Sequence, residues 1–329
     1  MPRPGNLAGS GDSTHGSSAG VATAVGSVPG LHAGRGAQAA SAAVIPVTPV
    51  VAAIAPASGS ADPEVSDHDM LLFQKLFKQD IGLHLPLSKK ALLQSRLSHR
   101  LQELGLRGLA QYHRLITSAE GAEERQRAID LITTNETYFF REQGHFDFLT
   151  QDLLPRWRDR QHLRVWSAAS ATGEEAYSLA MLLDHHRPAG SWSIFGSDIS
   201  TRVLRFARRA LYPMARGQNI PRLYLRRYCL LGTGEYEGHF LVQADLRAKV
   251  EFAQRNLTAL DEHDDGLYDL IFLRNVIIYF DCETKLQVLR DVIARLRPGG
   301  YLVVGHSESL HGMELDLLMH SPSIYRRPP

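Results

Sequence analysis

From residue 66 onward the apolar positions fall on a helical period. In MLLFQKLFKQDIG, Leu72, Phe73, Leu76 and Phe77 share one face. In LSKKALLQSRLSHRLQEL, Leu92, Leu93, Leu97, Leu101 and Leu104 form a stripe, and Gly105 is the expected C-terminal stop. Pro86 separates the two runs, and QYHRLIT and EERQRAIDLIT read as two further helices. Residues 63–132 are therefore expected to form a small all-helical domain. The period then breaks at TTNETYFFRE (133–142), where a polar run meets Tyr138, Phe139 and Phe140. Residues 133–160 are read as a linker, with Phe139 and Phe140 packing the two domains together.

After Pro155 short apolar runs alternate with helical ones. HLRVWSAA, SWSIFGSD, KVEFAQ, YDLIFLRN and YLVVGH read as strands; Glu174–Asp184, Thr201–Leu211 and Glu283–Leu296 read as helices. This alternation predicts an α/β fold with a parallel, doubly wound sheet over residues 161–329. One interval does not fit. Residues 213–248 carry Gly217, Gly232, Gly234 and Gly238 and short alternating runs such as HFLVQ, as a small β-rich insertion between the second and third strands would.

Composition adds the tail and removes some function classes. Residues 1–62 are almost all Ala, Gly, Ser, Val and Pro without aromatic residues, a composition expected to stay disordered. The chain has 329 residues, 22% charged, with a formal net charge of +1, so no global field draws it to nucleic acid or membrane. The most apolar run, residues 42–56, is broken by Pro46, Pro49 and Pro56 and is too short to span a bilayer. Cys229 and Cys282 lack metal-ligand spacing and read as reduced thiols of a cytoplasmic protein; no metal is expected.

In an open α/β sheet, ligands sit beyond the carboxyl ends of the strands. After the first strand comes SAASATGEEAYS, with Gly173 at the turn and Glu174 and Glu175 opening the helix. Asp198 ends the second strand, Asn256 and Leu257 follow the third, and Arg274 and Asn275 follow the fourth. Taken singly, each has a structural explanation: acids favour a helix N-terminus, and an amide can satisfy a strand end. As a set they describe a nucleoside site in which Asp198 would accept from ribose hydroxyls. The three-glycine fingerprint of a pyrophosphate site is missing, and acids at the first turn suit a cationic ligand such as S-adenosyl-L-methionine.

TTNETYFFRE, VWSAASATGEEAYSLAML, SDISTRVLRFAR, FAQRNL, YDLIFLRNVIIYFD and LRPGGYLVVGHSESL, in this order, closely resemble the chemotaxis receptor methyltransferases. The resemblance covers residues 66–329 and implies a Rossmann-like S-adenosylmethionine-dependent methyltransferase domain with a small antiparallel β-subdomain. It implies cofactor contacts at Asn135, Thr137, Arg141, Glu175, Asp198, Asn256, Leu257, Arg274 and Asn275, with Tyr279 beside the reacting methyl group. Ala176 stands where the family usually has proline. The implied reaction moves a methyl group to glutamate side chains of chemoreceptors and leaves S-adenosyl-L-homocysteine.

A glutamate carboxylate is already ionised at neutral pH, so no general base is needed. Arg141 is expected to steer the carboxylate and Tyr279 to shape the methyl channel. Chemoreceptor methylation regions are acidic helices. Lys89, Arg96 and Arg100, at spacings of seven and four, are the expected substrate contacts, although a solvated helix face explains them too. LLGTGEYEG (230–238) resembles the loop of family members that bind a receptor's C-terminal peptide, which would add to the insertion as an edge strand. A monomer is expected. The competing readings are a catalytically inactive S-adenosylmethionine-binding scaffold, a nicotinamide oxidoreductase and a nucleic-acid methyltransferase. The intact motif set, the missing glycines and the near-zero charge argue against them in turn.

Overall fold

The computed structural model describes residues 65–260 and 266–329; the expected tail over residues 1–62 lies outside them. The helical domain consists of α1 (Asp67–Ile81), α2 (Lys90–Glu103), α3 (Leu109–Thr117) and α4 (Ala122–Ile132). The Ser66 side chain caps α1 by accepting from Asp69 N, and Gly82 closes it in the left-handed conformation (φ 69°). Gly105 turns left-handed just past α2 (φ 63°), and Leu106 N donates to Leu101 O, so the chain leaves that helix sharply. Phe73, Phe77, Leu93, Leu97, Tyr112 and Ile116 bury their side chains in a core of their own.

The segment read as a linker is helical from residue 143. It contains α5 (Gln143–Phe148), a π-helical turn (Leu149–Leu153) and the single turn α6 (Leu154–Arg156). Phe146, Leu149, Leu153 and Trp157 insert into the core of the sheet domain. Phe139 and Phe140 do not join the helical domain to its neighbour. Phe139 packs on Tyr212 and Phe240 of the β-subdomain, and Phe140 packs on Phe146 and Tyr224. Both rings belong to the core that the sheet domain shares with the insertion.

The main sheet is built from β1 (Leu163–Ser167), β2 (Trp192–Asp198), β6 (Val250–Gln254), β7 (Tyr268–Leu273), β8 (Leu296–Val304), β9 (Leu318–Ser321) and β10 (Ile324–Arg326). Its order is β6-β2-β1-β7-β8-β10-β9, with the first five strands parallel and the last two antiparallel. The doubly wound sheet read from the sequence is thus present, and the final hairpin extends it. Helices α7 (Glu174–His186), α8 (Thr201–Arg209) and α11 (Cys282–Ala294) cover its faces. Strand order reverses at β1, so the crevice opens beyond the carboxyl ends of β1 and β7.

The insertion is a separate three-stranded antiparallel sheet of order β3-β5-β4, from β3 (Leu211–Pro213), β4 (Cys229–Leu231) and β5 (His239–Val242). Short helices α9 (Arg222–Tyr228) and α10 (Ala244–Arg247) flank it. It is pinned to the first turn of α7: Tyr212 Oη donates to Thr172 O at 2.7 Å, and Arg216 pairs with Glu174.

Candidate cofactor and methyl-transfer site

A cavity of about 610 Å³ opens at the reversal point, large enough for a nucleoside with an amino-acid arm. Asn135, Thr137, Arg141, Glu175, Asp198, Asn256, Leu257, Arg274 and Asn275 all line it, together with Tyr279 and Lys89. The sheet supplies one wall. The other comes from the helical domain, through Ile81, Leu83, His84, Leu85, Pro86 and Leu92.

Burial and pairing decide what each side chain offers. Asp198 ends β2 and is 7% exposed; Oδ2 accepts from Ala171 N and Oδ1 from Ser200 N, both at 2.9 Å. A carboxylate offers about four acceptor sites, so capacity remains for a ligand hydroxyl. Burial pushes its pKa up to about 6 against the pull of those hydrogen bonds. Glu175 accepts from Ser167 Oγ at 2.7 Å and pairs with Arg274 Nη1 at 2.9 Å. Burial raises its carboxyl too, opposed by Arg274.

Arg274 is the hub of this wall. Its second amino group donates to Arg141 O at 2.6 Å and lies 3.1 Å from Glu142 Oε2. It therefore ties the end of β7 to the TTNETYFFRE segment. Glu174, the neighbour of Glu175, is turned away: fully buried, it is committed to Arg216 and Thr172 Oγ1. Of the two acids at the first turn only Glu175 faces the cavity. Gly173 makes this turn possible, because at φ 93° a Cβ would come within 2.9 Å of Ala207 Cβ.

The backbone is unusual here. Among the described residues, Phe140, Glu142, Ala171 and Asn275, in the segments bordering the cavity, have positive φ without being glycine. Such conformations persist where surrounding bonds over-determine them. Glu308 supplies those bonds at Asn275: Oε2 accepts from Asn275 N at 2.6 Å and Gly305 N at 2.8 Å, and Oε1 from Ile277 N at 2.9 Å. Glu308 thus holds the turn that leads to Tyr279.

Three side chains differ from expectation. Asn256 borders the cavity but spends its amide elsewhere: Nδ2 donates to Asp80 O at 2.6 Å, and Oδ1 accepts from Thr258 N and Oγ1. It fastens the end of β6 to the end of α1. Arg100 is not available to a substrate. It binds Glu124 through two nitrogens and Glu103 through a third, because α4 packs against its face of α2. Arg96 lies outside the cavity, in a group with Arg127, Arg202 and Arg205 whose positive charges depress the Arg202 guanidinium's proton affinity after burial has done so. This group spans α2, α4 and α8, so no single stretch of sequence reveals it.

Sequence reasoning also passed over Glu142 and His145. Glu142 was visible as the last residue of TTNETYFFRE, but its left-handed backbone was not. Although burial opposes it, Arg274 holds the Glu142 carboxyl below the usual range. Burial, then Arg274, drives His145 down to about 3, so this ring is neutral.

Residues 135–323 match the family described as the CheR methyltransferase SAM-binding domain, and residues 68–133 match the CheR all-alpha domain. The chain belongs to the CheR methyltransferase family. It is 38% identical over 263 residues to the chemotaxis protein methyltransferase of Escherichia coli K12, covering 79% of this chain and 91% of that one. To chemotaxis protein methyltransferase 2 of Pseudomonas aeruginosa it is 43% identical over 233 residues, covering 69% and 81%. A third relative, from Borreliella burgdorferi, is 34% identical over 264 residues, covering 77% and 92%. The cofactor of this CheR-family chain is S-adenosyl-L-methionine. Among the described residues, no helix is long and apolar enough to cross a membrane.

Proposed function

We propose that this protein transfers the methyl group of S-adenosylmethionine to the side-chain carboxylate of specific glutamates on chemoreceptors, acting in the cytoplasm. The observation that supports this most directly is the convergence of Arg141 and Tyr279 with Asp198, Glu175 and Arg274 on one cavity whose outer wall is the helical domain. Asp198 holds the ribose, and Glu175, Asn135 and Thr137 hold the cationic amino-acid arm. Asn256 contributes shape and backbone rather than its amide, and Leu257 packs the base.

The reaction is an in-line displacement. A carboxylate oxygen of the substrate forms a bond to the methyl carbon while the sulfur–methyl bond breaks and its electron pair stays on sulfur. The products are a glutamate methyl ester and S-adenosylhomocysteine. The nucleophile is ionised at neutral pH, so the protein need only position it and exclude water. Arg141 presents its guanidinium to the incoming carboxylate, and Tyr279 borders the channel through which the methyl passes.

Receptor recognition is assigned to Lys89 at the cavity mouth and Arg96 in its arginine group, facing an acidic helix. β4 is an edge strand with Leu230 and Leu231 exposed, and an extended receptor peptide is proposed to pair with it. The decisive experiment incubates the purified full chain with methyl-labelled S-adenosylmethionine and membranes carrying the organism's chemoreceptors. Base-labile label on receptor glutamates is the expected result. Cofactor binding with no label transferred would leave a binding protein instead of an enzyme.

A further inference from the structure

Glu142, His145 and His306 meet beside Arg274, and methyl transfer uses none of their side chains. Glu142 Oε2, His145 Nδ1 and His306 Nε2 all lie within 4.8 Å of one another. The first two flank the start of α5, and His306 follows β8, so the cluster joins the TTNETYFFRE segment to the far half of the sheet.

Ser323 Oγ lies between Pro322 O and His145 Nε2, and its single proton couples to the tautomer of that ring. Ser323 Oγ donates its one proton to Pro322 O at 2.6 Å. With the hydroxyl proton directed at Pro322 O, Ser323 Oγ accepts from His145 Nε2, 2.8 Å away. A neutral imidazole has a single N–H, which leaves Nδ1 as a bare lone pair. His145 is 2% exposed, and its Nδ1 has no hydrogen-bond partner among the described residues. That lone pair faces the Glu142 carboxylate at 3.5 Å. In that tautomer the buried, unpartnered lone pair faces a carboxylate that Arg274 Nη2 and His306 N already contact, and a cation seated between the two would use both.

We propose that Glu142 Oε2, His145 Nδ1 and His306 Nε2 bind a divalent first-row metal ion, Zn²⁺ fitting best, and that this ion competes with Arg274 for Glu142. Two imidazoles and one carboxylate with a fourth position left for water form a recognised zinc donor set. The Ser323 bond to the far nitrogen of His145 is the outer support that metal-bound histidines require. Glu142 Oε2 lies 3.5 Å from His145 Nδ1 and 3.9 Å from His306 Nε2. Tetrahedral bonds of the usual length separate ligands by about 3.4 Å, so the carboxylate lies near its place for both rings, and the two ring nitrogens, within 4.8 Å of each other, close through rotation of the exposed His306. The His306 side chain is 59% exposed and gives the ion its way in.

Arg274 Nη2 also lies 3.1 Å from Glu142 Oε2. An ion that takes this oxygen loosens one tether of Arg274, and Arg274 lines the cofactor cavity. Metal and S-adenosylmethionine are therefore antagonists. This holds whatever the methyl acceptor is.

The test titrates the metal-free full chain with ZnCl₂ by calorimetry, with Co²⁺ absorption reporting the donor set. One equivalent of Zn²⁺ is expected, with a tetrahedral cobalt spectrum. His306→Ala, an exposed change, and Glu142→Gln should each weaken binding by at least about tenfold. Saturating Zn²⁺ should lower S-adenosylmethionine affinity in the wild type and leave it unchanged in His306→Ala, whose affinity in chelated buffer matches the wild type. The proposal is overturned if Zn²⁺ does not bind at micromolar concentration. It is equally overturned if His306→Ala and His306→Gln bind as tightly as the wild type, or if saturating Zn²⁺ leaves the wild type's cofactor affinity unchanged.

Discussion

The two walls of the cofactor cavity are built on different physical terms. The sheet wall is wired: Asp198 takes two backbone amides, Glu308 three, and Arg274 holds Glu175, Glu142 and Arg141 O at once. The helical wall is mainly apolar and is attached by separate contacts. His84 N donates to Tyr279 O at 2.8 Å, Asn256 holds Asp80 O, Thr201 Oγ1 holds Asp130, and Lys78 pairs with Asp281 at 2.5 Å. A methyl donor must be held in one geometry, whereas a protein substrate must be admitted and released. The wired wall suits the first task and the apolar wall the second.

Four changes test that division. Arg274→Ala should have the largest effect, since it strands the carboxylates of Glu175 and Glu142; a loss of about 3–5 kcal/mol in urea unfolding is expected. Cofactor binding, measured by calorimetry, should fall with it. A loss no greater than that of Asn256→Ala would erase the distinction between the walls. Arg141→Ala should lower turnover on receptors by about a hundredfold through lost positioning. Unchanged turnover together with unchanged cofactor affinity would remove Arg141 from the mechanism.

The third change concerns pH. The raised pKa of Asp198 means that the fold gains from its protonated form. That contribution is complete below the ordinary carboxyl range and is lost as pH rises through about 6. The ligand-free protein should lose this stabilisation over that interval, and Asp198→Asn should flatten the slope in thermal melts. Ribose hydroxyls need the ionised carboxylate, so cofactor affinity should move oppositely, falling up to roughly tenfold per pH unit below that point. Asn256→Ala should cost least, about 1–2 kcal/mol, by leaving Asp80 O unpaired at the attachment of the helical wall.

How much of this was legible depended on whether the signal was local. The strand ends were readable because the apolar period changes there and Gly173, Asp198 and Asn275 punctuate it. The last hairpin was not: β9 has no alternating face, with Leu318 and Met319 both exposed. Arg100 and Arg96 share a spacing but not a fate, because α4 brings Glu124 to one and α8 brings more arginines to the other. The positive φ of Glu142 and the tautomer of His145 depend on Asn275, Ser323 and Arg274, which no periodicity connects to them. Phe139 and Phe140 announced burial without saying which core would take them.

Gly82 caps α1 at the place where the helical domain touches the sheet domain. A Cβ on it would come within 2.5 Å of Thr258 Cγ2 and 2.7 Å of Thr284 Cγ2, both on stiff β-branched side chains. A single methyl group at position 82 would thus act as a wedge, prising the helical wall from the end of β6 and the start of α11. The fit between the two domains is gauged there by a hydrogen atom.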